Sequence, residues 1–112
     1  MNRIAILISG RGSNMDAILD RIQSGHLEAQ VAFVASDRPD AQGLEKAKSR
    51  AIPTEVLPYR DGKAKGEAAL QTLMDRHDVN WLVLAGFIRI LSEELVLRHQ
   101  GRIVNIHPAL LP

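Results

Sequence analysis

Short apolar runs alternate along the whole chain with segments of helical spacing, and this alternation constrains the fold more than any other feature. Residues 4–8 form a continuous apolar run rich in isoleucine, which is typical of a strand buried on both faces. Strands separated by helices in strict order predict a parallel sheet with helices on both faces, an α/β, Rossmann-like fold. The other predicted strands are residues 31–35, 54–57, 81–85 and 103–106, and the predicted helices cover residues 15–22, 40–51, 62–76 and 92–101.

The length and charge of the chain exclude several classes of protein. Its 112 residues fit a single domain. With 14 Lys and Arg against 13 Asp and Glu, the net charge of +1 does not favour binding to nucleic acid or to a membrane surface through bulk electrostatics. The sequence has no cysteine, which excludes disulfides, thiolate zinc sites and cysteine nucleophiles.

The apolar runs are too short for membrane or export signals. The longest, residues 81–88, falls far below the ~18 residues that can span a bilayer. The first run is too short for the core of a signal peptide. We therefore expect a cytoplasmic protein, and no feature of the sequence sets an oligomeric state.

A glycine-rich segment, Ser-Gly-Arg-Gly-Ser-Asn at residues 9–14, lies between the first predicted strand and the first predicted helix. Glycines allow close approach of the backbone to a ligand, and the free N–H groups at a helix start attract anions. We expect a phosphate site here; the simpler alternative is a tight turn with a good helix cap. Ser13 and Asp16 are spaced as a capping box. The segment is not a P-loop, because no Lys-Ser or Lys-Thr follows its second glycine.

The same segment allows a second interpretation, a dinucleotide-binding loop. Gly10 and Gly12 fit the first two glycines of that motif, but Met15 occupies the position of the third. Asp37, which follows the second predicted strand, could accept a hydrogen bond from a ribose hydroxyl. A non-catalytic dinucleotide-binding module therefore stays open as an alternative.

Asn105 and His107 lie at the end of the fifth predicted strand and share one face of it, because alternate residues of a strand point the same way. An amide donor beside an imidazole can stabilise an oxyanion and move a proton. The alternative is that Asn105 forms a turn and His107 is an ordinary hydrogen-bonded imidazole. A metal site is not expected, since no second histidine or carboxylate lies at ligand spacing.

The loop at residues 86–91, Gly-Phe-Ile-Arg-Ile-Leu, is more apolar than most surface loops. It could line a slot for a flat heterocycle, with backbone amides making the hydrogen bonds. Alternatively, it continues the core beyond the strand. We expect Met15 and Trp81 in the core. The residues expected to face solvent are Arg11, His26, His77 and His99.

Three strings together resemble a known enzyme family. They are Ile-Ser-Gly-Arg-Gly-Ser-Asn at 8–14, Leu-Ala-Gly-Phe-Ile-Arg-Ile-Leu-Ser at 84–92 and Asn-Ile-His-Pro-Ala-Leu-Leu-Pro at 105–112, with Gly-Leu-Glu at 43–45 between them. Across all 112 residues the chain resembles the N-terminal half of the phosphoribosylglycinamide formyltransferase family. The last string is shared by several folate-dependent formyltransferases and deformylases, whereas the first points to the family that acts on glycinamide ribonucleotide.

The resemblance implies transfer of a formyl group from 10-formyltetrahydrofolate, a co-substrate, to the amine of glycinamide ribonucleotide in de novo purine biosynthesis, without a metal. It implies that Asn105 and His107 are catalytic. The residues implied to hold the ribonucleotide phosphate are Gly12, Ser13 and Asn14. Those implied to contact the folate are Lys63, Ile88, Arg89, Ile90, Leu91 and Asn105.

The resemblance also bears on domain organisation. It implies that residues 1–112 are the N-terminal, nucleotide-binding part of a formyltransferase domain, ending just after the His-Pro-x-Leu-Leu-Pro string. The family's catalytic aspartate, which polarises the histidine, lies downstream of that string. We therefore expect residues 1–112 alone to be inactive.

Overall fold

A computed structural model describes residues 1–106 and has the alternation that the sequence predicts. All five predicted strands are present, the third ending one residue earlier than expected. Among residues 1–106, no helix has the length and apolar character needed to cross a membrane. The elements are β1 (Asn2–Ile8), α1 (Ser13–Gln23), β2 (Ala29–Ser36), α2 (Gln42–Ser49), β3 (Thr54–Val56), a 3₁₀ turn (Tyr59–Asp61), α3 (Lys63–Arg76), β4 (Trp81–Ala85), α4 (Glu93–Arg98) and β5 (Ile103–Ile106).

The strands form one parallel sheet in the order β3-β2-β1-β4-β5. β1 is central and pairs with β2 on one side and with β4 on the other. The chain first builds outward from β1 to β3, then returns to the other side of β1 to add β4 and β5. The order therefore reverses between β1 and β4, which makes their carboxyl ends the expected place for a ligand.

Both faces of the sheet are buried, because alternate side chains of β1 enter two separate cores. Ile4, Ile6 and Ile8 pack beneath α1 and α2 with Met15, Ile18 and Leu44, among others. Ala5 and Leu7 lie on the opposite face, where α3 and α4 contribute further buried residues, including Leu70, Leu73, Met74 and Leu95. Helices on both faces confirm the predicted α/β, Rossmann-like architecture.

The start of α1 corrects the predicted capping box. The N-cap is Gly12, in a left-handed conformation with φ of 75°, and no side chain caps the helix. Ser13 is already the first helical residue, and Asp16 pairs instead with Lys46 of α2, at 2.9 Å. Gly12 lies against the backbone of Gly43, and both this close contact and the left-handed conformation favour glycine at the N-cap over a residue with a capping side chain.

Two of the four residues expected to face solvent are half-buried instead. The His77 ring packs on Phe33, with 5.3 Å between ring centroids. His99 Nε2 lies 2.7 Å from Oε1 of Gln71, which joins the end of α4 to α3. Arg11 and His26 are exposed, as expected.

The two residues expected in the core differ in burial. Met15 is fully buried, whereas Trp81 is only half-buried, at the amino end of β4.

Candidate active site

Two loops and one carboxylate that the sequence singled out lie at the same edge of the sheet. The glycine-rich loop follows β1 and the apolar loop follows β4, so they flank the point where the strand order reverses. Asp37 follows β2, on the other side of β1. Neighbouring parallel strands place these segments together, although residues 9–14 and 86–91 are far apart in sequence.

The glycine-rich loop is held from below by α2. Gly43 N–H donates to the Gly10 carbonyl oxygen at 2.9 Å. A Cβ atom on Gly43 would lie only 3.2 Å from Gly12 Cα, so the two backbones are in close contact. This contact explains the glycine at position 43. At the start of α1, Ser13 is exposed and Asn14 is half-exposed. The geometry suits an anion at the helix start, while the role of Gly12, Ser13 and Asn14 in phosphate binding stays a prediction.

The apolar loop after β4 is not a simple continuation of the core. Phe87 and Leu91 pack against the core on the α3 side. Ile88 and Ile90, by contrast, are 69% and 81% exposed. Large apolar side chains held in solvent at a sheet edge are typical of a binding surface. Their contact with a folate stays a prediction.

Ser9 joins the loops after β1, β2 and β4. Its hydroxyl donates to Asp37 Oδ1 at 2.7 Å and accepts from the Ile88 N–H at 3.0 Å. Ser9 and Asp37 are both buried. A buried hydroxyl and carboxylate need hydrogen-bond partners, and here the partners come from neighbouring strands.

Arg89 completes this network. Its Nε donates to Asp37 Oδ2 at 2.7 Å, and its guanidinium carbon lies 5.1 Å from the centre of the Tyr59 ring. Burial, together with the nearby carboxylates of Glu67 and Asp37, raises the pKa of Tyr59 to about 12. Tyr59 therefore stays neutral at physiological pH, and its ring offers Arg89 a cation–π contact.

Asp37 corrects the dinucleotide interpretation of the sequence. That interpretation requires a carboxylate open to a ribose hydroxyl, whereas the Asp37 side chain has no exposed surface and both its oxygens are bonded within the protein. Sequence reasoning missed the roles of Ser9 and Tyr59 altogether. The available signal for Ser9 and Asp37 was a polar residue directly after each of two buried strands.

The far end of the apolar loop is anchored by α3. Glu67 accepts from the Ser92 backbone N–H at 2.8 Å and from the Ser92 hydroxyl. Ser92 also accepts from Leu95 N–H at 3.2 Å and so caps α4, as its position predicts. Beside this contact is a cavity of 430 Å³ between α3 and α4, which Lys63 and Arg98 also line. Lys63 is exposed at the start of α3, and its contact with folate stays a prediction.

Asn105 lies in β5 beside Leu84 of β4 and is exposed. Its strand therefore ends at the same sheet edge as the apolar loop. His107 lies outside the described residues, so the catalytic pair stays a prediction. Among residues 1–106, no group of three histidine, aspartate or glutamate side chains is arranged to hold a metal ion.

Comparison with known proteins gives one consistent family. Residues 2–112 match the family model described as formyl transferase. The phosphoribosylglycinamide formyltransferase of Haemophilus influenzae is 39% identical over 114 positions, which cover 100% of this chain and 54% of that protein. The human trifunctional purine biosynthetic protein adenosine-3 is 37% identical over 112 positions, covering 98% of this chain and 11% of that protein.

Solved structures that resemble this chain include proteins of the same name. The phosphoribosylglycinamide formyltransferase of Coxiella burnetii superposes with a TM-score of 0.89 at 42% identity, covering 99% of this chain and 53% of that one. The chain thus spans about half the length of the bacterial proteins it matches.

Proposed function

The chain belongs to the formyl transferase family, and on that premise we propose that it transfers a formyl group from 10-formyltetrahydrofolate to the amine of glycinamide ribonucleotide, in purine biosynthesis. Relatives with the matching name support this choice of substrate. The proposal applies to the protein that carries this chain, since the chain spans about half of those relatives. We place the reaction in the cytoplasm and without a metal.

The observation that carries the proposal is the pairing of two unlike loops across β1 and β4. One is a glycine-rich helix start that suits a phosphate. The other holds Ile88 and Ile90 in solvent, while Ser9 bonds its backbone at Ile88 and Asp37 bonds its Arg89 side chain. An anion site beside an apolar slot matches a phosphorylated substrate and a flat pterin ring. Lys63, which lines the adjacent cavity, would face the more distant part of the folate.

Formyl transfer is an acyl transfer between two nitrogens. The amine of the ribonucleotide attacks the formyl carbon, the bond from that carbon to N10 breaks, and the amine proton passes to N10. The tetrahedral intermediate carries negative charge on oxygen, and Asn105 would donate a hydrogen bond to it, a contact worth about 3 kcal/mol in related sites. His107 would stabilise the same charge and assist the protonation of N10. No covalent intermediate with the protein is required.

The direct test is an assay of formyl transfer to glycinamide ribonucleotide with the purified protein that carries this chain. Binding is tested in parallel by thermal stabilisation. We expect glycinamide ribonucleotide and a folate analogue each to raise the melting temperature, and NAD to have no effect. Stabilisation by NAD alone, with no formyl transfer, would overturn the proposal in favour of a dinucleotide-binding module.

A further inference from the structure

We propose that Asp37 is a positioning residue, which fixes the conformation of the loop at residues 86–91 from beneath. The ligand of that loop, the folate, rests on the proposed function. The positioning itself rests on contacts within residues 1–106. Asp37 touches no ligand in this proposal and acts through Ser9 and Arg89.

The Asp37 side chain is buried and is held in place by hydrogen bonds to two loops. It has no exposed surface, and its two oxygens are divided between two different loops. Oδ1 accepts from Ser9, after β1, and Oδ2 accepts from Arg89, after β4. A buried carboxylate is stable only with such partners, so moving the loop after β4 would remove the cation that compensates its charge, and moving the loop after β1 would remove a hydrogen bond.

Asp37 restrains two consecutive residues of the loop, Arg89 directly and Ile88 through Ser9. The Arg89 side chain is 44% exposed and lies between the buried carboxylate and the face of Tyr59. These two contacts fix the direction of the side chain. A fixed Arg89 side chain restrains the Arg89 backbone. It thereby restrains the neighbouring residues Ile88 and Ile90, whose side chains are exposed to solvent.

Ile88 is the second residue, and Asp37 reaches it through a hydroxyl. Ser9 has one hydroxyl proton, which it donates to Asp37, so its lone pairs are left to accept the N–H of Ile88. Asp37 thereby sets the orientation of Ser9 as well as that of Arg89. Two consecutive loop residues are held by one carboxylate, which prepares the exposed apolar side chains for a ligand before it binds.

Asp37→Asn tests this with almost no change in volume. The introduced amide can still accept from Ser9, but it presents an N–H group to Arg89 Nε, itself a donor. Asp40→Asn is a matched control, because Asp40 also pairs with an arginine, Arg38, but both side chains are more than half exposed. A third variant, Arg89→Gln, removes the partner through which most of the effect is expected.

The first measurement needs no ligand. In the 112-residue chain, we expect amide hydrogen exchange at Ile88, whose N–H is bonded to Ser9, to rise about tenfold in Asp37→Asn, because loss of the Arg89 bond loosens the loop. The rise should be less than about threefold at Gly43, which anchors the neighbouring loop. Asp40→Asn should match the unsubstituted chain. Unchanged exchange at Ile88, or an equal rise at Gly43, would overturn the positioning role whatever the ligand proves to be.

The second measurement uses the protein that carries this chain. We expect Asp37→Asn to weaken binding of a folate analogue about tenfold and of glycinamide ribonucleotide less than about threefold, with less than about a threefold further loss when it is added to Arg89→Gln. Equal weakening of both ligands, or additive losses, would contradict a role through Arg89. If the unsubstituted protein binds neither ligand, the proposed function fails, while the exchange measurement still decides the role of Asp37.

Discussion

Gly10 and Gly12 lie two positions apart in the loop after β1, but a side chain would meet very different surroundings at each. At Gly12, φ is 75° and a Cβ atom would lie 3.0 Å from the Gly43 backbone. At Gly10, no atom lies within 4 Å of that position. Gly12→Ala should therefore lower the free energy of unfolding by about 1 kcal/mol or more. We also expect it to weaken ribonucleotide binding, because the helix start must shift.

Gly10→Ala is the matched control and should change neither quantity appreciably. Urea unfolding and calorimetric titration with glycinamide ribonucleotide measure the two effects separately. Equal ribonucleotide affinity in both variants would argue against a phosphate site at this loop.

Replacement of Asn105 and of His107 tests their proposed roles in catalysis. In the protein that carries this chain, we expect Asn105→Ala and His107→Ala each to lower turnover about 10²-fold or more, with smaller changes in substrate affinity. Combined losses should be less than additive if both residues stabilise one transition state. Near-normal turnover in either variant would remove that residue from the mechanism.

At the scale of elements, the contact between His99, at the end of α4, and Gln71 of α3 should make the stability of the fold depend on pH. Burial and the neighbouring Arg98 guanidinium lower the pKa of His99 below its usual 6.5, while Asp75 acts in the opposite direction. Near pH 6.5, His99 is therefore protonated to a greater extent in the unfolded chain than in the folded chain. We expect the free energy of unfolding to decrease as the pH is lowered from about 7.5 to about 5.5.

His99→Gln removes the titrating group and should reduce this decrease. His26→Gln replaces an exposed histidine and is the control. Urea midpoints at the two pH values measure the effect for each protein. The same pH dependence in His99→Gln as in the unsubstituted chain would show that another group is responsible.

The elements themselves were largely predictable from sequence, whereas the contacts between their ends were not. Continuous apolar runs identified β1, β2 and β4, because a parallel sheet covered on both faces needs apolar side chains on both. β3 and β5 contain polar residues, and their places in the alternation of strands and helices identified them. The glycine-rich and apolar loops were predicted as ligand sites from their positions after strands. The shared bonds of Ser9, Asp37 and Arg89 were missed, because they depend on β1 lying between β2 and β4, and local sequence patterns do not specify strand order. The start of α1 was placed wrongly for a similar reason, since Gly43 is distant in sequence.

At the scale of the whole molecule, the two cores share a single sheet and should be lost together. Leu70 is fully buried on the α3 side, and Trp81, the only tryptophan, packs beside the core on the other face. Leu70→Ala should lower the free energy of unfolding by about 2–5 kcal/mol. We expect the urea midpoint followed by Trp81 fluorescence to shift as far as the midpoint followed by circular dichroism.

Leu97→Ala provides the comparison, because Leu97 is 58% exposed on α4 and its loss should change stability by less than about 0.5 kcal/mol. If the Trp81 transition stayed in place while circular dichroism shifted in Leu70→Ala, the two faces would unfold as separate units.

The position of β1 between β2 and β4 has a consequence for synthesis on the ribosome. β1, α1 and β2 are complete early and can dock as a first β-α-β unit, but β4 emerges much later: the bond from Arg3 N–H to Asn80 Oδ1 joins residues 77 positions apart. Until then, the isoleucine-rich edge of β1 has no partner, which is a hazard for association and a natural binding site for a chaperone. The crevice between β1 and β4 can form only after β4 has been synthesised. A ribosome stalled near residue 80 should therefore carry a nascent chain in which one edge of β1 is unpaired and the candidate active site has not formed.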